Sequence, residues 1–167
     1  MKVLITESQF RRILNEYNDK YSSFKERWLK VSYESIGCYE IPRPLSVDVF
    51  LFPSDDDDYS GFLIDLKLDN NIIGQYHSVI DEENLGGLMN DIEIAPEYQG
   101  KGFGKILTLI AMCVSENVLG FFTSDVRGLT DQQKNVYKSL QKNVYDEKGN
   151  VDYSKAQEFI NQQFPKN

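Results

Sequence analysis

The chain is short of the residues that build several large classes of protein. Of its 167 residues only two are cysteine, Cys38 and Cys113, and one is histidine, His77. The cysteines stand far apart and belong to no CxxC or Cys/His cluster, so the sequence indicates no metal site and no disulfide framework, and a reducing compartment is expected. No apolar run approaches the length of a membrane span, and Met1-Lys2-Val3-Leu4-Ile5 gives way to Thr6-Glu7 too soon for a signal-peptide core. The expected location is cytoplasmic, with no membrane partner. Positive charge is also scarce: 18 Lys and Arg against 26 Asp and Glu leave a formal net charge of −8. That balance argues against a nucleic-acid partner, which basic residues would have to hold, and mildly favours a cationic one. What remains, 41% hydrophobic and 26% charged residues, is an ordinary globular composition of a length that fits one domain.

Periodicity places the elements. Thr6-Glu7-Ser8-Gln9 reads as a capping box, and Phe10, Ile13, Leu14 and Tyr17 repeat at helical spacing. Phe24, Trp28 and Val31 continue a second stripe, so two helices are expected, about 7–18 and 23–35. Beyond Pro42 and Pro44, Leu45 to Phe52 alternates at period two and reads as a strand. The run Asp55 to Asp58 repels itself too strongly to pair in a sheet and reads as a loop. Phe62 to Leu68 and Ile72 to Ile80 form a hairpin about Asp69-Asn70-Asn71, with His77 as a surface residue of the second arm. A fourth strand, Leu88 to Ala95, stops at Pro96. The period then changes to that of a helix over about 102–116, followed by a short strand Val118 to Ser124. Thr130-Asp131-Gln132-Gln133 opens the next helix, and Ser154 begins a last one with Ala156, Phe159 and Ile160 inward. The class is α+β with a central, mostly antiparallel sheet.

The chemistry concentrates where the fourth strand ends, in Ile92-Glu93-Ile94-Ala95-Pro96-Glu97-Tyr98-Gln99-Gly100-Lys101-Gly102-Phe103-Gly104-Lys105. A strand, a glycine turn and a helix N-terminus in succession make an anion site, because unpaired N–H groups and the helix dipole favour a phosphate and glycines let it approach. Ile106 follows Gly104-Lys105 where a Walker A loop needs Ser or Thr. Lys105 and Leu107 stand where a dinucleotide fingerprint needs glycine.

The remaining pattern, Gln-x-x-Gly-x-Gly over Gln99 to Gly104 behind Ile-Ala-Pro-Glu-Tyr, resembles the GCN5-related N-acetyltransferases, the GNAT superfamily. The resemblance is closest over Leu88 to Asn117 and extends more loosely from Gly61 to Leu140. It implies a sheet splayed between strands four and five and flanked by helices. It also implies acetyl-coenzyme A as acyl donor, without a metal. Backbone N–H groups of Gly100, Lys101, Gly102, Phe103, Gly104 and Lys105, with Gln99 at the head of the motif, would hold the pyrophosphate. Ile92 and Ile94 would lie along the pantetheine arm. Tyr137, in Val136-Tyr137-Lys138-Ser139-Leu140, stands where the family has the tyrosine that protonates the departing thiolate. Thr130 replaces a common asparagine, and Gln141-Lys142 replaces the glycine-aromatic pair that usually ends that helix.

An amine attacks only when neutral, so a general base is needed. Asp91 and Glu93 project from one face of the fourth strand, opposite Ile92 and Ile94, and are the candidates. The acidic runs Asp55 to Asp58 and Asp81-Glu82-Glu83 read either as solvated loops or as flanks of a cationic acceptor's entrance. The expected organisation is one domain over 1–167: a helical part to about 40, a cofactor-binding core over 45–141 and a C-terminal segment over 142–167. Either Met1 to Ile5 is strand one and Leu45 to Phe52 an addition, or Leu45 to Phe52 is first and the helices are a cap. Tyr17, Tyr21, Trp28 and Tyr33 either line the acceptor side or fill core. The function implied is acetyl transfer to a primary amine, of a small molecule or a protein, by direct attack in a ternary complex, in a monomer or homodimer. The alternative is an inactive GNAT fold serving as a coenzyme A-binding or protein-interaction module.

Overall fold

A computed structural model describes residues 28–53, 59–81, 87–120 and 130–163. The capping box at Thr6, the helix expected over 7–18, Tyr17, Tyr21, Met1 to Ile5 and the acidic runs at 55–58 and 82–83 lie outside them.

Five antiparallel strands form one sheet in chain order: β1 (Leu29–Ser32), β2 (Leu45–Pro53), β3 (Tyr59–Leu68), β4 (Asn71–Asp81) and β5 (Gly87–Ile94). Between β1 and β2 stands a single helical turn, α1 (Tyr33–Ile36), ended by Gly37 at φ +74°. Three helices follow the sheet: α2 (Phe103–Leu119), α3 (Asp131–Val144) and α4 (Tyr153–Gln163). The hairpin between β3 and β4 turns on Asp69 and Asn70, both at positive φ, as the Asp-Asn-Asn sequence anticipates.

Register explains which residues are core. Val49, Ile64, Tyr76 and Ile92 form one cross-strand row, and Val47, Leu66, Gly74 and Ile94 another on the same face. Helix α2 lies across this face over β3, β4 and β5. Its residues Ile106, Leu107, Leu109, Ile110, Ala111 and Val114 are all fully buried. Gly74 is required by that packing, because a Cβ there would meet Ile94 Cδ1 at 2.5 Å and Leu107 Cδ2 at 3.3 Å. The opposite face carries the rows Asp48, Asp65, Gln75, Glu93 and Phe50, Leu63, His77, Asp91. Asp65 is buried there and accepts a 2.6 Å hydrogen bond from Gln75 Nε2.

The structure corrects the sequence reading in four places. Residues 29–32 are a strand, not part of a helix over 23–35: Val31 pairs with Val49 and Lys30 with Phe50. Leu-Lys-Val-Ser alternates at period two as well as fitting helical spacing, and the partner strand decides between them. β1 is thus the first described strand, an arrangement neither expected topology contained. Val118 and Leu119 belong to α2, which runs on until Gly120 at φ +78°; the rest of the strand expected over 118–124, and with it the splay, lies outside the described residues. α4 starts at Tyr153, one residue early, because Asp152 Oδ1 accepts from the N–H groups of Ser154 and Lys155. Finally, Cys38 and Cys113 are joined in a disulfide with Cα atoms 5.9 Å apart, tying the segment after α1 to the middle of α2. Cysteines 75 residues apart meet only because the sheet and α2 fold together, and spacing carries no such signal.

Candidate active site

The chain leaves β5 through Ala95, whose N–H donates inward to Ile73 O at 2.9 Å. Backbone groups alternate sides along a strand, so the N–H and C=O of Ile92 and Ile94 point away from β4, toward the edge that is open among the described residues. Gln99 Nε2 donates to Ile94 O at 2.9 Å and folds the following turn back against this edge. Pro96–Tyr98 form one 3₁₀ turn; then Gly100 at φ +75° and Gly102 at φ +89° make reversals that side chains resist. Helical bonding starts with Lys105 and Ile106 N–H on Gly102 O, so the N–H groups ahead of them stand outside the helical ladder.

These elements border a cleft of about 740 Å³. Its walls include Asp91, Ile92, Glu93 and Ile94 from β5, Gln99, Gly100, Lys101, Gly102, Gly104 and Lys105 from the turn, and Thr130, Gln132, Gln133, Asn135 and Val136 from the start of α3. Eight of the nine residues expected to hold the cofactor therefore line one cleft. Phe103 is the exception as a side chain: its ring is buried, edge-on to Tyr98 at 5.9 Å, and anchors the turn to the core. Lys101 Nζ stands 5.4 Å from the Tyr98 ring centroid and Lys105 Nζ 5.9 Å from that of Phe159. Asp91 and Glu93 are both exposed on the same cleft. His77 is half-buried instead of a plain surface residue, its ring stacked on Trp28 at 5.8 Å.

Tyr137 rides on α3, whose start is held by a complete capping box. Thr130 Oγ1 accepts from Gln133 N–H at 3.2 Å and Gln133 Oε1 accepts from Thr130 N–H at 2.8 Å. The phenol does not line the large cleft. It borders a neighbouring cavity of about 20 Å³ with Tyr76, Asn90 and Thr108, and the two spaces share Ile92, Gln133 and Val136 as walls. Burial pushes the Tyr137 hydroxyl above the ordinary phenol range, with Tyr76 drawing it partly back down. Tyr76 is pushed up much further, by burial first and by Tyr137 beside it. Among the described residues the Tyr76 hydroxyl makes no well-formed hydrogen bond, and Tyr137 is the hydroxyl beside it.

Several residues of the site were not anticipated, among them Asn135 on α3, Gln163 and Tyr76. Gln163, at the end of α4, lies over Gly102, and Tyr76 reads in the sequence only as one more inward strand residue. Neither carries a local signal, since each reaches the site through packing between distant segments.

The donor set suits a phosphorylated ligand. Residues 99–105 contain no carboxylate, two lysines and three glycines at the start of a 17-residue helix. A Cβ on Gly104 would come no nearer than 3.8 Å to other protein atoms, so packing does not demand glycine there, whereas a ligand in the cleft it lines would. No curated protein and no solved structure matches the chain. Residues 11–140 match the Acetyltransferase (GNAT) family, and the chain belongs to that family.

Proposed function

We propose that this protein transfers the acetyl group of acetyl-coenzyme A to a primary amine by direct attack within a ternary complex. One observation carries the reading: the glycine turn, the β5 edge left open among the described residues and two exposed carboxylates share a single cleft, and Tyr137 stands behind its wall. Acetyl-coenzyme A, when bound, supplies a thioester activated for acyl transfer. The N–H groups of residues 100–104 hold its pyrophosphate, with the charges of Lys101 and Lys105 nearby; the Lys105 N–H, expected to join them, is instead bonded to Gly102 O. Backbone groups of Ile92 and Ile94 orient the pantetheine arm and polarise the thioester carbonyl. Glu93 or Asp91 takes the proton an ammonium must lose before it can attack. Tyr137 keeps its own proton at neutral pH and gives it to the departing sulfur. The acidic balance of the chain favours a cationic acceptor, in solution or on a protein surface.

Thermal unfolding with and without acetyl-coenzyme A tests the donor half. A ligand at a hundred times its dissociation constant adds about 2.7 kcal/mol, several degrees for a domain of this size. The shift is expected in the parent and absent in a Gly102→Asp, Gly104→Asp double variant. Release of free thiol with spermidine, an aminoglycoside or a lysine peptide then tests the acceptor half. A thermal shift without thiol release from any amine would favour a coenzyme A-binding module over an enzyme.

A further inference from the structure

Tyr76 and Tyr137 come from different parts of the fold and meet at one small cavity. Tyr76 sits on β4 in the row Val49, Ile64, Tyr76, Ile92, its ring stacked on Phe62 at 6.2 Å, and is 1% exposed. Its hydroxyl is buried and makes no well-formed hydrogen bond among the described residues, with the Tyr137 hydroxyl as its near neighbour. Several polar atoms of the cavity's other walls are engaged elsewhere. Thr108 Oγ1 donates to Gly104 O at 2.7 Å, Asn90 Oδ1 accepts from Ser78 Oγ at 2.8 Å, and Gln133 closes the capping box with Thr130. At about 20 Å³ the space admits no more than a single water.

We infer that Tyr76 is a positioning residue for proton donation by Tyr137, its hydroxyl placed to hydrogen-bond the Tyr137 oxygen as that oxygen loses its proton. This rests on the reading of Tyr137 as the acid. When the carbon–sulfur bond of the thioester breaks, the sulfur takes the Tyr137 proton and negative charge passes to the Tyr137 oxygen. Tyr76 keeps its own proton and shares it with that oxygen. An O–H···O⁻ bond is about twice as strong as one between neutral groups, so the weak resting contact between the two hydroxyls strengthens as charge develops. The electrostatics agree, because Tyr76 draws the Tyr137 hydroxyl down while burial pushes it up. The other titratable neighbours are Tyr145, beyond the end of α3 and close enough for Tyr137 to raise it, and Glu116 of α2, which also faces Tyr145. Neither borders the cavity.

The experiment compares the full chain with Tyr76→Phe and Tyr137→Phe. Tyrosine is replaced throughout by 3,5-difluorotyrosine, whose phenol ionises nearer neutrality, and ¹⁹F NMR follows each ring with pH. The Tyr137 signal is identified by its loss in Tyr137→Phe. In Tyr76→Phe the Tyr137 midpoint is expected to rise by about one pH unit, since the donor that stabilises its ionised form is gone. In unlabelled Tyr76→Phe, kcat with the best amine of the acceptor panel is expected to fall about tenfold, with affinity for acetyl-coenzyme A unchanged and thermal stability equal to the parent's or higher. An unmoved Tyr137 midpoint overturns the inference, as does a loss of stability, which would make the hydroxyl structural. Full turnover in Tyr137→Phe would instead overturn the assignment of the acid, a separate result from a failure at Tyr76.

Discussion

Gln163, in the last turn of α4, lies directly over Gly102 at the head of α2, so that a Cβ added to Gly102 would overlap Gln163 Oε1. The C-terminal helix is therefore a wall of the cofactor cleft as well as an appendage to the core. The Gly102 backbone, at φ +89°, resists any side chain independently of that overlap. Gly102→Ala is expected to cost about 1–2 kcal/mol in chemical denaturation and to weaken acetyl-coenzyme A binding. Adding Gln163→Ala should recover little of the stability, because the far end of a glutamine can swing aside whereas the backbone strain persists. Full recovery would mean that the overlap, not φ, is decisive.

Asp91 and Glu93 both face the cleft, and one of them must accept the acceptor's proton if the proposed chemistry holds. Asp91→Asn with Glu93→Gln is expected to lower kcat/KM by about 100-fold, with the acetyl-coenzyme A thermal shift intact. The single variants apportion the role between them. Turnover close to the parent in the double variant would show that the base lies elsewhere.

Tyr137 works only while it holds its proton. Its folded pKa lies above the ordinary phenol value because the half-buried hydroxyl is partly desolvated, so activity should persist to about pH 10 and decline as pH rises through the folded value. Tyr137→Phe is expected to lose about 100-fold in kcat and to flatten the alkaline limb of the profile. An unchanged limb would assign it to another group.

Alkaline pH should also unfold the protein. Tyr33, Tyr39, Tyr76, Tyr137 and Tyr145 are all pushed up mainly by burial, and Tyr153, by burial and then by its bond to Glu116, to about 12. A raised folded pKa means that the proton is held more tightly in the folded state. The stability it contributes is complete below the unfolded value near 10 and is lost as pH rises through the folded values. Urea unfolding at a series of pH values should show a steep fall in stability beginning at about pH 10. A flat profile through that range would contradict the burial of Tyr33, Tyr39 and Tyr76, the most enclosed of these rings.

The Cys38–Cys113 bond closes a sequence separation of 75 residues. On chain-entropy grounds a loop of that size is worth about 4.5 kcal/mol at most, so Cys38→Ser or a reductant should lower Tm by several degrees. An identical Tm in oxidised and reduced protein would show that the bond adds nothing to the folded state.

Local patterns carried most of what the sequence determined. Alternation over Leu45 to Phe52 and Phe62 to Leu68 placed two strands, Asp69-Asn70-Asn71 placed the hairpin, and Thr130 with Gln133 placed a helix start that the structure reproduces bond for bond. The strand, glycine turn and helix from Ile92 to Lys105 were legible for the same reason: anion binding at a helix N-terminus depends on residues adjacent in the chain. Tertiary structure decided what depends on partners. Leu29 to Ser32 fits a helix or a strand by spacing, and becomes a strand because β2 offers it an edge. Cys38 reaches Cys113, Gln163 reaches Gly102 and Tyr76 meets Tyr137 only after the sheet, α2, α3 and α4 have packed. Periodicity reports which face of an element is apolar, whereas which distant residue that face will meet is a property of the assembled core.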